Sequence, residues 1–190
     1  MAEPYLGGLL MDFHRWYAIF VVTGQEESIR TMIIEALSVH GGVEAQLFVP
    51  KARLKLPTDL ARKLGKDEKV VTMFPGYVLV GTDNIEAVYN AAANLKSVLR
   101  FLKNDNDDFQ QIRLEEISRL IYMADEKDTI GESEAFLDES KRIVVLSGPL
   151  KGEEGRIAKF NRRKGRVAVE FLIGTERREI WLSVKLIKES

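Results

Sequence analysis

The sequence predicts two domains of different class: strands mixed with helices over residues 14–124, and a small all-β barrel over residues 141–190. Three observations lead there. Aromatic and β-branched runs alternate with helical spacing up to residue 124. Residues 125–140 hold seven acids against one lysine and few apolar side chains. Beyond them, five short β-like runs are punctuated by glycine.

Trp16 to Val22 is aromatic and β-branched without helical spacing, and predicts a buried strand. Thr23-Gly24-Gln25-Glu26 has the form of a capping box, in which the Thr hydroxyl holds an orphan helix N–H and the Glu reaches back. Ile29, Ile33, Ala36 and Leu37 follow at helical spacing, and His40-Gly41-Gly42 ends the helix. A strand over 43–49 and an exposed, alternating strand over 53–56 come next. Residues 57–67 form a basic and polar insertion with room for a helical turn or two.

Two further strands, over 69–73 and 77–80, are hinged at Phe74-Pro75-Gly76, where Pro fixes φ and Gly permits φ > 0. Asp83-Asn84-Ile85-Glu86 starts a second helix, and 98–102 predicts another strand. Lys103 to Asp108 is a polar loop. Leu114, Ile117, Leu120 and Ile121 mark a third helix. The acidic stretch 125–140 predicts a mobile linker, because so little apolar surface cannot offset chain entropy. The barrel runs cover 143–146, 156–160, 167–172, 178–182 and 184–187.

The net charge of −1 hides a split. Residues 141–190 carry +7 and the remaining 140 carry −8. A basic module joined to an acidic one predicts separate partners, with nucleic acid the candidate for the basic end. There is no cysteine and only two histidines, so neither a disulfide nor a Cys/His zinc site can be built. No apolar run reaches the roughly 20 residues of a membrane span. Residues 1–13 read as a loose leader, not a signal peptide, with Met11 an alternative start. Gly148 to Gly155 lacks the Gly-Lys-Ser/Thr ending of a phosphate loop. Asp105, Asp107 and Asp108 lack EF-hand spacing. No catalytic constellation is recognisable, and the reading is of a non-enzyme without cofactor or metal.

Trp16-Tyr17, Phe74-Pro75-Gly76-Tyr77-Val78-Leu79-Val80 and the stretch IVVLSGPLKGEEGRI over 143–157 together resemble the NusG family of transcription elongation factors. The last stretch looks like a KOW motif. The resemblance covers nearly the whole chain in order. It implies an α+β fold: an N-terminal antiparallel sheet flanked by helices, then a C-terminal SH3-like β-barrel. It also implies a cytoplasmic, monomeric factor whose N-terminal domain binds the clamp helices of RNA polymerase and can touch non-template DNA. The positions that carry over to the polymerase face are Trp16, Tyr17, Phe74, Pro75, Gly76 and Tyr77. Strand neighbours point to opposite faces, so Trp16 and Tyr17 cannot share one.

Housekeeping members carry an apolar-Phe-Gly-Arg turn that meets a ribosomal protein or the Rho terminator. Here the turn is Leu172-Ile173-Gly174-Thr175, which argues against both partners. The connection Asn161-Arg162-Arg163-Lys164-Gly165-Arg166 is unusually basic. These departures are similar to the LoaP antiterminators, whose barrel reads a nascent RNA hairpin. The Arg fork suits phosphate oxygens and base edges. The predicted RNA-binding set is therefore Lys159, Asn161, Arg162, Arg163, Lys164 and Arg166, extended by Arg177 and Arg178. The first rival reading is a housekeeping factor whose barrel binds a ribosomal protein or Rho; the second is a ribosome-associated RNA-binding protein, since KOW segments also occur there.

Overall fold

The computed structural model describes residues 13–39 and 43–187. The predicted leader, apart from Phe13, and the helix end at His40-Gly41-Gly42 lie outside the described residues. In chain order the first part is β1 (Trp16–Val21), α1 (Glu26–Val39), β2 (Gln46–Phe48), β3 (Lys51–Lys55), α2 (Thr58–Leu64), β4 (Glu68–Thr72), β5 (Tyr77–Gly81), α3 (Ile85–Ala92), β6 (Val98–Phe101), β7 (Gln111–Ile112) and α4 (Leu114–Met123). Then follow β8 (Thr129–Ile130), β9 (Ser133–Leu137), β10 (Ile143–Ser147), β11 (Ile157–Asn161), β12 (Arg166–Ile173) and β13 (Glu176–Leu186). The fold is α+β.

The first sheet runs β2-β5-β1-β6, with β7 also paired to β1, and all its pairings are antiparallel. Both of its faces are buried, which is why β1 and β5 read as unbroken apolar runs. In β1, Tyr17, Ile19 and Val21 enter one core, which α1 covers with Ile29, Ile33 and Leu37 and α3 with Ile85 and Val88. Trp16 and Ala18 enter the other core, covered by Ile117, Leu120 and Ile121 of α4. That second core continues without a break into the C-terminal half, through Val167, Val169, Phe171, Leu182 and Val184.

The C-terminal half is a curled five-stranded sheet in the order β10-β9-β13-β12-β11, consistent with a KOW barrel. The two runs predicted over 178–187 are one strand, β13. The polar residue between them, Ser183, does not break it, because its Oγ accepts the Lys55 N–H at 3.1 Å. A third, small sheet runs β4-β3-β8. The two-residue β7 carries too short a pattern to be foreseen.

The segment predicted as a mobile linker contains two short strands. Residues 125–140 hold β8, which pairs parallel with β3, and β9, which lies between β10 and β13. Its acids serve as local acceptors: Asp125 Oδ1 takes the N–H groups of Lys127 and Thr129, and Asp138 Oδ1 takes that of Arg142. Ser133 Oγ accepts the Leu150 N–H at 3.0 Å. Buried Asp128 meets Arg30 at 2.6 Å. Composition counts charges but does not see these fixed partners.

Gly81 pairs across the sheet with Trp16, and a Cβ on Gly81 would stand 2.6 Å from Trp16 Cε2. The indole is fully buried and its Nε1 donates to the Phe13 carbonyl at 2.9 Å, so it has no room to retreat. Gly81→Ala should destabilise the protein by roughly 1–3 kcal/mol through overpacking. Urea unfolding followed by tryptophan fluorescence would measure it, and an unchanged midpoint would refute the packing argument.

Candidate interaction surfaces

The turn Phe74-Pro75-Gly76 is held by more than its own sequence. Gly76 has φ +85°, and a Cβ there would meet Phe20 Cε2 at 3.0 Å. Its N–H donates to Glu26 Oε1 at 2.7 Å, and its carbonyl accepts from the Val21 N–H at 2.8 Å. Glu26 Oε1 also accepts the Gly24 N–H at 3.1 Å, but α1 begins at Glu26 itself, so the carboxylate reaches back to Gly24 and across to the Gly76 turn in place of the expected Thr23 capping box. Burial pushes the Glu26 pKa up, but the N–H groups of Gly76, Glu26 itself and Gly24 outweigh it. The net effect holds the carboxyl below its ordinary value of 4.5.

A lowered native pKa stabilises the fold above the unfolded value and loses that stabilisation as pH falls through the native one. Glu26→Gln should therefore cost about 1–3 kcal/mol near neutral pH. The gap to the parent protein should narrow once the pH drops below that 4.5. Chemical denaturation at both ends of this range checks the sign; a gap independent of pH would contradict it.

With the turn so fixed, Phe74 and Tyr77 face the barrel. Phe74 meets Phe171 at 6.0 Å between ring centroids and nearly perpendicular. The Arg178 guanidinium lies 5.6 Å from the Tyr77 ring centre. Tyr77 Oη sits 3.5 Å from Glu176 Oε2, and Arg178 itself pairs with Glu176. The Gly174 turn lies against the N-terminal half as well: a Cβ at Gly174 would stand 3.2 Å from Leu102 Cδ2 and 3.3 Å from Gln110 Oε1. Trp16 lies in the same core, below Phe74 and Tyr77 in chain order but on the same face of the sheet. Tyr17 does not join them. It packs on the opposite face, against the helices.

A polar rim surrounds this apolar seam. Glu116, itself buried, accepts from Arg156 at 3.0 Å, from Arg119 at 3.3 Å and from the Leu172 N–H at 3.3 Å. Arg119 Nε also donates to Glu153 at 2.9 Å, and Arg156 Nη2 to Glu115 at 3.1 Å. Sequence reasoning missed this network. Only the i, i+3 spacing of Glu116 and Arg119 was visible, and the remaining partners are some 34 to 56 residues away.

The predicted RNA-binding set divides in two. Asn161 closes a single 3-10 turn over Arg162–Lys164 by accepting the Lys164 N–H at 3.0 Å. Among the described residues, no carboxylate lies within ion-pair distance of Arg162, Arg163 or Lys164. By contrast Lys159 is paired with Glu179, Arg177 with Glu170 and Arg178 with Glu176. Arg177 and Arg178 stand opposite Leu172 and Phe171. At about 3.3 Å per residue that is roughly 16–20 Å along β12 from Arg166. Arg166 Nη2 donates to the Lys55 carbonyl at 2.5 Å. The free cations thus gather at one end of the barrel, beside β3.

The family model described as transcription termination factor NusG matches residues 14–121, more than half of the chain. The chain belongs to the NusG family. NusG of Pasteurella multocida, a transcription termination/antitermination protein, is 23% identical over 161 residues, spanning 84% of this chain and 86% of that protein. The solved structure described as domain interaction in Thermotoga maritima NusG aligns over 89% of this chain and 93% of its own, at 17% identity and a TM-score of 0.52. An Spt4:Spt5 complex aligns at a TM-score of 0.37 with 16% identity, over 88% of this chain and 91% of that one. The first structural match supports the NusG-like fold alone. Among the described residues no helix is long and apolar enough to cross a membrane, and no group of three or more His, Cys, Asp or Glu could hold a metal ion.

Proposed function

We propose that this chain is a cytoplasmic elongation and antitermination factor, a specialised NusG paralog resembling the LoaP antiterminators. Its N-terminal domain docks on the RNA polymerase clamp helices through Phe74 and Tyr77, with Pro75 and Gly76 shaping the turn and Trp16 beneath. Tyr17 supports the opposite core. The turn at Arg162–Lys164 contacts a nascent RNA hairpin through its free cations.

One observation carries the reading. The aromatic face of the N-terminal sheet is closed by the chain's own barrel, through an apolar seam with a charged rim, and not by any N-terminal helix alone. Such a face is suited to exchange one apolar cover for another. In the closed arrangement Phe74 and Tyr77 are 3% and 6% exposed, so polymerase must displace the barrel before docking. Opening then appears as a reduction of the observed affinity by the fraction of open molecules. The housekeeping alternative, a barrel that meets a ribosomal protein or Rho, draws less support, because the Gly174 turn lacks the Phe and Arg and is itself covered.

Arg156→Glu places a like charge beside Glu115 and Glu116 and should open the chain. Binding to core polymerase should tighten by about 3- to 30-fold, the range expected for relieving a modest closed bias. Tyr77→Ala in the same background should abolish that gain. Fluorescence anisotropy with labelled protein reads both. If neither change moves polymerase affinity while circular dichroism shows both variants folded, the docking face lies elsewhere.

A further inference from the structure

Docking of the barrel creates a cleft that neither half possesses by itself. It has a volume of about 520 Å³ and runs between the start of α2 and the basic 3-10 turn. Its charged walls are Lys55 and Asp59 on one side and Arg162, Arg163, Lys164 and Lys185 on the other. A smaller hollow of about 280 Å³ continues it along α2, sharing Lys55, Leu56 and Thr58 and adding Arg62, Lys66 and Asp67. Together the two present seven cations against two carboxylates. Lys185 is bound to Glu134, and among the described residues the other six have no ion-pair partner.

Bringing unpaired like charges together across a cleft opposes closure unless an anion lies between them. The seam beside the cleft is pinned by the Ser183 and Arg166 bonds to the Lys55 backbone. Arg166 Nε is buried there without a hydrogen-bond partner. The cleft walls offer cations and short apolar side chains but no aromatic ring. That favours contact with phosphates over stacking on bases, which is how the backbone of an RNA duplex is recognised.

We infer that the nucleic-acid site is composite: the RNA stem is gripped between Arg62 and Lys66 of the α2 insertion and Arg162, Arg163 and Lys164 of the barrel, and it binds the closed arrangement better than the open one. The inference rests on the RNA-binding reading above and adds its second half and its coupling to closure. By linkage, whatever opens the barrel weakens the grip on RNA, and RNA in turn holds the barrel down. Displacement of the barrel by polymerase would then release the stem from α2 while leaving it on the basic turn.

The test uses the full-length chain and a labelled RNA hairpin with a stem of mixed sequence, titrated at several salt concentrations. The variants are Arg62→Ala with Lys66→Ala, the triple Arg162→Ala, Arg163→Ala, Lys164→Ala, and each of these combined with Arg156→Glu. The α2 pair should weaken binding by about 10-fold and reduce the salt slope by about 2; the triple should reduce it by about 3. In the opened Arg156→Glu background the α2 pair should lose most of its effect. If the α2 pair changes nothing while the triple still weakens binding, the composite site is overturned and the barrel alone binds RNA. If neither set matters, RNA binding by this surface fails altogether. Equal α2 effects in closed and opened chains would overturn the coupling. Displacement of the RNA by a polyglutamate peptide of equal charge at equal concentration would overturn the choice of RNA over an acidic protein.

Discussion

The perpendicular contact of Phe74 with Phe171 is the constraint on which the rest of the molecule depends. A sheet buried on both faces needs a cover on each, and α4 alone covers only part of the face that bears Trp16, Leu79 and Phe74. The barrel supplies the remainder with the inward side chains of β12 and β13. The two halves therefore share one core, and the ends of β3, β12 and β13 are brought into register by it. The stiff Gly76 turn aims Phe74, and the long β12–β13 ladder aims Phe171.

Around that contact the polar rim decides the pose more than the strength. Half-exposed pairs such as Arg156 with Glu115 contribute about 0–1 kcal/mol each. Glu116 is different, because it is buried and needs all of its donors. Leaving such a carboxylate without partners costs several kcal/mol. Only a barrel placed to offer both Arg156 and the Leu172 N–H satisfies it, so the network specifies one docked arrangement. An apolar seam alone would tolerate several.

The path of the chain between the halves follows from the same logic. Residues 125–140 are too acidic to fold as an independent unit, yet they are ordered where acceptors meet backbone donors and cations of the flanking elements. Asp128 reaches Arg30 of α1, and Ser133 receives Leu150 of the barrel. Gly148 permits this close approach: it has φ +91°, and a Cβ would stand 2.8 Å from Ser133 Cα. The segment thus ties both halves together as strands, with Ser133–Leu137 paired to both β10 and β13.

Local chemistry determined much of this protein from its sequence. The unbroken apolar runs of β1 and β5, the reach-back of Glu26 to Gly24, the Asn84 cap of α3 and the positive φ of Gly76 in its turn are all features of residues close in the chain. So is the separation of Trp16 from Tyr17, which period-2 strand geometry alone requires. What only the tertiary structure decided depends on groups far apart in sequence. The order of residues 125–140, the Glu116 network and the covering of Phe74 and Tyr77 come from partners that no periodicity reveals. The division of the basic residues into paired and free is of the same kind, since a carboxylate two strands away cancels Lys159 while none reaches Arg162. Sequence composition fixes how many charges a chain carries; only folding decides which of them are left without a partner.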